Sequence, residues 1–271
     1  MSFHQQHAII TGGSSGIGKA TAKLFASKGA NVTILARTQS VLETAKAEIE
    51  AVRLHPDQRV LSLVCDVSDR SSAEQAIQTA IEQIGPPDYL VTSAGIAIPG
   101  YFHEQALEIF ERTMAVNYWG TLYCIRAVLP AMQKQGKGQI VLVSSGAGLI
   151  GIYGYTTYSP TKFALRGLAE SLRGELKVFG IDLAIVYPPD TDTPQLWEEN
   201  KTKPAQTKAI TATAKMWTAE GVAEEIIKGI QQKKFAITPG LEMKLLNRLN
   251  SFLVPLLNWY FDRLVKKTSC Q

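Results

Sequence analysis

Residues His7–Ala30 read HAIITGGSSGIGKATAKLFASKGA. Three kinds of sequence follow one another here. HAIIT (His7–Thr11) is a short apolar run that fits a buried strand. Gly12, Gly16 and Gly18 come directly after it, spaced G-x-x-x-G-x-G rather than the commoner G-x-G-x-x-G. Ile17, Ala20, Leu24 and Phe25 then recur at helical spacing. A glycine turn between strand and helix lets backbone N–H groups and the positive end of the helix dipole meet a pyrophosphate. The stretch therefore predicts a dinucleotide-binding βαβ opening; the alternative is a tight turn that merely needs small residues.

The same alternation continues to residue 238. Strands are predicted over Asn31–Ala36, Val60–Cys65, Asp88–Thr92, Gly138–Ser145, Ile181–Tyr187 and Phe235–Thr238. Helical patterns fall between them over Ser40–Arg53, Ser72–Ile84, Leu107–Met114, Asn117–Gln133, Thr157–Phe179 and Ala219–Gln231. This predicts the α/β class: a single-domain Rossmann-type doubly wound parallel sheet with helices on both faces. Asp190–Trp217 is long, polar, rich in Thr and Pro and without clear periodicity, which reads as a lid or binding loop over about 190–217. Residues 1–240 form the expected dinucleotide-binding catalytic domain, and 241–271 an amphipathic helical tail.

Composition agrees. The 271 residues are 45% hydrophobic and 19% charged, with 21 glycines, as in a core-forming globular chain. A net charge of +4 without a Lys/Arg-rich block or an aromatic RNA-binding motif argues against nucleic acid as a partner. Cys65, Cys124 and Cys270 are far apart and lack metal spacing, so neither a disulfide framework nor a metal site is expected. The first strand starts too early to leave room for a signal peptide, and no apolar run reaches ~18 residues. A cytoplasmic location is expected, with or without peripheral contact at a membrane surface.

Candidate chemistry centres on Tyr158 and Lys162, which lie one turn apart near the start of a predicted helix. A cation beside a phenol favours the phenolate, so the pair can donate a proton to a developing alkoxide. Pro160, between them, is tolerable only in a first helical turn. Ser144 and Ser145 end a predicted strand, and Asn117 sits where two helical patterns join, a junction expected to expose its carbonyl. Arg37, with no acid near it, closes the second strand, and an arginine there suits a 2′-phosphate; Lys19 is close enough in sequence to assist. Asp66–Val67 ends the third strand, where the carboxylate accepts from an adenine amino group or caps the next helix. Ala94 and Gly95 are small enough for close ligand approach at the sheet's carboxyl edge. Asp190 and Asp192 either pair with a substrate ammonium or cap the turn after them.

In this order, TGGSSGIG (Thr11–Gly18), Ser145 and YSPTK (Tyr158–Lys162) resemble the short-chain dehydrogenase/reductase family over roughly Ala8–Thr193. The resemblance implies Tyr158 as proton donor and Lys162 as the group that lowers its pKa and holds the nicotinamide ribose. It implies Ser145 as a hydrogen-bond donor to the substrate carbonyl and Asn117 as anchor of a proton-relay water. NADPH is the implied cofactor, held by Gly12, Ser14, Ser15, Gly16, Ile17, Gly18, Arg37, Asp66, Val67, Ala94, Gly95, Tyr158, Lys162, Pro188, Thr191 and Thr193. A homodimer or homotetramer is implied, paired through the Asn117–Gln133 and Thr157–Phe179 helices. The sequence departs from the family at Thr92-Ser93-Ala94-Gly95, where Asn-Asn-Ala-Gly is usual, and at Pro188-Pro189, where Pro-Gly is usual.

Within that family, YPPDTDTP (Tyr187–Pro194), ENKTKP (Glu199–Pro204) and KFALRGLAESL after Tyr158 are similar to the branch that reduces 3-ketodihydrosphingosine to dihydrosphingosine. A lipid ketone is then the implied substrate; a steroid, retinoid or acyl-chain ketone is the alternative. A non-catalytic NADPH-binding protein and a membrane-surface scaffold are readings from other classes. An intact Ser145, Tyr158 and Lys162 set argues against the first; the scaffold relies on the tail. In the tail, Leu245, Leu249, Phe252 and Leu256 recur at helical spacing among Lys244, Arg248 and Arg263. Two readings stay open there: a helix lying in a membrane interface, or one packed on the core or a partner subunit.

Overall fold

A computed structural model describes residues 3–212 and 215–269. Cys270 and two residues of the predicted lid, 213 and 214, lie outside the described residues. The sheet strands are β1 (His7–Thr11), β2 (Asn31–Ala36), β3 (Val60–Val64), β4 (Tyr89–Thr92), β5 (Gly138–Val143), β6 (Ile181–Val186) and β9 (Ala236–Ile237). They form one parallel seven-stranded sheet in the order β3-β2-β1-β4-β5-β6-β9. The doubly wound sheet is as expected.

Both faces of the sheet are buried because successive side chains alternate. Ile9, Leu90, Ile140 and Ile185 face one core, which α3 (Arg70–Ile84), α5 (Gly120–Gln135) and α6 (Ser159–Lys177) cover with Ile77, Val128 and Leu165. Ile10, Val91, Val141 and Val186 face the other, beneath α1 (Gly16–Ser27), α2 (Gln39–Glu50) and α9 (Ala219–Gln231).

Local chemistry sets the helix ends. Asp69 caps α3, its carboxylate accepting from Ser72 N at 2.6 Å. The sequence offered Asp66 for this duty; Asp66 instead accepts from the amide and hydroxyl of Ser68. Pro160 sits in the first turn of α6, where its missing N–H costs nothing. The ladder between α4 (Leu107–Met114) and α5 changes to a π turn over Ala115–Trp119. The expected interruption at Asn117 is there, but its carbonyl is not exposed: Asn117 is buried and its C=O accepts from Thr121 Oγ1 at 2.9 Å.

Two segments depart from expectation. The 190–217 stretch is not an irregular loop. It carries a short ladder of β7 (Thr191–Asp192) with β8 (Trp217–Thr218) and two helices, α7 (Pro194–Thr202) and α8 (Ala205–Thr211). Helical periodicity is hard to see in such short elements, yet Leu196 and Ile210 are buried. Thr193, not Asp190 or Asp192, caps α7 by accepting from Leu196 N, while Asp192 accepts from Trp197 Nε1 at 2.7 Å. The tail forms two helices, α10 (Gly240–Arg248) and α11 (Asn250–Ser269). Leu246 joins the core, and Leu253, Val254, Leu257 and Phe261 pack against it. Leu245, Leu249, Phe252, Leu256 and Trp259 stay exposed. Among the described residues no helix is long and apolar enough to cross a membrane.

Candidate active site

The strand order reverses between β1 and β4, and ligands of open α/β sheets bind at such a switch point. Two cavities of about 220 Å³ and about 180 Å³ open there. Gly12, Ser15, Ala94 and Gly95 line both and join them into one cleft.

Gly12 has φ near 65°, and a Cβ on it would lie 2.8 Å from Ala94 N. Thr11 Oγ1 accepts from both Ser93 N and Ala94 N at 3.1 Å, tying the ends of β1 and β4 together. No side chain caps α1, and its first turn holds no acid. Its leading N–H groups therefore face the cleft without a protein acceptor among the described side chains, a donor set that fits a pyrophosphate. Ser14, Ser15, Gly16 and Ile17 line the cleft; Gly18 does not, but lies buried against the Gly12 carbonyl.

Arg37, Asp66 and Val67 line the smaller cavity. Burial opposes ionisation of Asp66, but the Ser68 hydrogen bonds and the Arg37 charge hold its carboxyl below the usual range. Lys19 is engaged elsewhere: its ammonium donates to Glu48 at 2.9 Å.

The larger cavity holds Ser145, Tyr158, Lys162, Pro188, Thr191 and Thr193. Three elements deliver the reactive groups. Ser145 follows β5 and opens a 3₁₀ turn, Oγ accepting from Ala147 N. Tyr158 is the residue before α6, and Lys162 lies in that helix's first turn. Lys162 Nζ donates to the Val143 carbonyl at 3.1 Å and sits 5.4 Å from the centre of the Tyr158 ring. Burial lowers the Lys162 pKa to about 8, against the pull of Glu199.

Burial, reinforced by the Glu199 charge, pushes the Tyr158 phenol above its ordinary value, and the neighbouring Ser145 and Gln195 side chains pull it partway back. Asn117 stands behind the cleft. Its Nδ2 donates to Ile96 O and Thr161 Oγ1, and its Oδ1 accepts from Ile96 N. A Cβ on Gly95 would lie 3.3 Å from Asn117 Oδ1 and 3.7 Å from Lys162 Nζ, so that glycine lets the two side chains approach.

Three site residues escaped the sequence reading. Tyr155, Gln195 and Glu199 line the same cavity as Tyr158. The Tyr155 hydroxyl donates to Glu199 Oε2 at 2.7 Å, and Gln195 Nε2 donates to Glu199 Oε1 at 2.9 Å. The i, i+4 spacing of Gln195 and Glu199 was visible, but only with a helix recognised at 194–202 does it place both on one face.

A glycine-lined cleft at the switch point, with Ser145, Tyr158 and Lys162 gathered at one end, defines a nicotinamide-dependent oxidoreductase site. The family model for "short chain dehydrogenase" matches residues 6–204, and the chain belongs to that family of oxidoreductases, which bind a nicotinamide cofactor. It is 44% identical over 250 residues to a "3-dehydrosphinganine reductase" of Danio rerio and 43% identical over 250 residues to a "3-ketodihydrosphingosine reductase" of Bos taurus. Each alignment covers 92% of this chain and 75% of the relative. A Burkholderia phymatum short-chain dehydrogenase/reductase, solved in complex with NAD, shares the fold with a TM-score of 0.81 at 23% identity, covering 92% of this chain and 94% of that one.

Proposed function

We propose that this protein reduces 3-ketodihydrosphingosine to dihydrosphingosine with NADPH. The observation that carries the reading is the Ser145–Tyr158–Lys162 group at the end of a dinucleotide cleft, in a chain 44% identical to a relative named for that reduction. When bound, the reduced nicotinamide supplies hydride to the carbonyl carbon. Tyr158 donates its proton to the carbonyl oxygen as negative charge develops there, and Ser145 donates a second hydrogen bond to that oxygen. Donors aligned in advance by the fold are worth about 3 kcal/mol each in comparable sites. Lys162 holds the nicotinamide ribose and keeps positive charge beside the phenol. Asn117 positions the 96 backbone and Thr161 beneath the site.

NADPH rather than NADH is favoured because β2 ends at Ala36-Arg37-Thr38 with no carboxylate to receive a ribose 2′-hydroxyl, and Arg37 lies at the cavity wall. Residues 1–240 serve as the catalytic domain, with α7 and α8 covering the substrate side, and the tail serves as a contact surface. The exposed row from Leu245 to Trp259, among Lys244, Arg248 and Arg263, suits a peripheral membrane contact. A homodimer or homotetramer pairs through α5 and α6, where Phe163 is exposed.

The test is NADPH and NADH oxidation against a panel of lipid ketones: 3-ketodihydrosphingosine, a steroid, a retinoid and a 3-ketoacyl chain. Fastest turnover of the long-chain amino ketone with NADPH is expected. Turnover confined to another ketone, or NADPH binding without any turnover, overturns the reading.

A further inference from the structure

Glu199 is a carboxylate in an unusual place. It is 7% exposed and lines the cavity that holds Tyr158, and Tyr155, which donates to it, has its ring centre 5.6 Å from that of Tyr158. Gln195 Nε2 donates to Glu199 Oε1 at 2.9 Å and lines the same cavity. Among the described residues no lysine or arginine closes a salt bridge with Glu199. Lys203 and Lys162 act on it only through longer-range charge, and Asp190, on the same cavity wall, adds a second negative group. Burial pushes both carboxyls above their usual range. An ionised carboxylate held out of water without a contacting cation is costly, and a cation arriving in the cavity offsets that cost. The proton-donor mechanism uses neither acid.

Position selects the cation. A ketone oxygen must lie against Tyr158 and Ser145. A substituent on a carbon next to the carbonyl then lies in the same cavity, whose wall includes Gln195 and Glu199. We propose that Glu199 binds the ammonium of an α-amino ketone, so that this carboxylate, oriented by Tyr155 and Gln195, makes the site specific for substrates bearing an amine next to the carbonyl. The proposal deepens the function above and rests on it. Glu199 touches the substrate's amine; Tyr155 and Gln195 act through it as positioning residues.

The test compares kcat/KM for 3-ketodihydrosphingosine with that for the same chain lacking the amine, in the wild type and in Glu199→Gln, each full length. The substitution keeps the size, removes the charge and replaces one of the two acceptor oxygens, which receive Tyr155 and Gln195, by a donor. Wild type is expected to favour the amino ketone. Glu199→Gln is expected to lose roughly 100-fold on it, the order seen when a buried charged partner is removed, with the loss mostly in KM. The loss on the amine-free ketone is expected to be much smaller than on the amino ketone, and affinity for NADPH stays near wild type. An equal loss on both substrates, or no loss on either, overturns the anchor while leaving the reductase reading in place. A wild type that reduces only amine-free ketones overturns both. Should Glu199→Gln fail to fold, Tyr155→Phe provides the second variant: it removes one hydrogen bond to the same carboxylate, and its expected selective loss on the amino ketone supports the anchor, while an unchanged ratio overturns it.

Discussion

Tyr158 is 8% exposed, and burial together with the Glu199 charge holds its phenol above the ordinary tyrosine pKa. Such a group keeps its proton at neutral pH until negative charge develops on a partner. Tyr158→Phe removes the proton and little else, because the ring still fills its place against Tyr155 and Ala147. Turnover should fall by roughly 100-fold or more, while NADPH affinity, measured by fluorescence titration, stays within a few-fold. Retained turnover would assign the proton to another group. At this scale Tyr158, Lys162, Ser145 and the glycines were legible, because their chemistry depends on short spacings along the chain. Glu199 was not, since a carboxylate 41 residues from Tyr158 carries no local sign that burial will bring the two together.

Elements show the same division. The seven sheet strands were legible because each is a short apolar run closed by polar or glycine residues. His7, at the start of β1, illustrates what burial adds. Its ring bonds Gly85 O at 2.7 Å and Thr33 Oγ1 at 2.8 Å, and burial lowers its pKa from 6.5 to about 4 despite the Gly85 bond and the Asp88 charge. Between those values the unfolded chain binds more protons than the folded one, so stability rises with pH from about 4 to 6.5 and is lost on acidification. The full swing is worth about 3 kcal/mol. Urea denaturation at pH 4.5 and 7 should show a larger stability difference for wild type than for His7→Gln; equal differences would assign the acid sensitivity elsewhere. The 190–217 segment was misread because α7 and α8 are too short to establish a period, and their stability comes from the surfaces that Leu196, Thr207 and Ile210 bury.

At the scale of the whole molecule the tail is shared between two surroundings. One side packs on the core through Leu246, Leu253 and Leu257, so removing the tail would uncover apolar core and confuse binding with unfolding. The exposed side offers a cleaner test: Phe252 is 78% exposed and Trp259 56%, and replacing both by Ser should leave thermal stability near wild type. Binding to anionic vesicles, measured by co-sedimentation, should fall several-fold in that double variant. Equal sedimentation of the two proteins would favour the exposed row as a protein contact instead. By itself the sequence determined the α/β alternation and the glycine turn that opens it, which follow from hydrophobic period and glycine placement; the family resemblance singled out Ser145, Tyr158 and Lys162. Tertiary structure alone decided that Asn117 turns its side chain to Ile96 and Thr161, that Asp69 rather than Asp66 caps α3, and that Glu199 faces the substrate cavity. These depend on which distant surfaces meet when apolar area is buried, and no local pattern encodes that meeting.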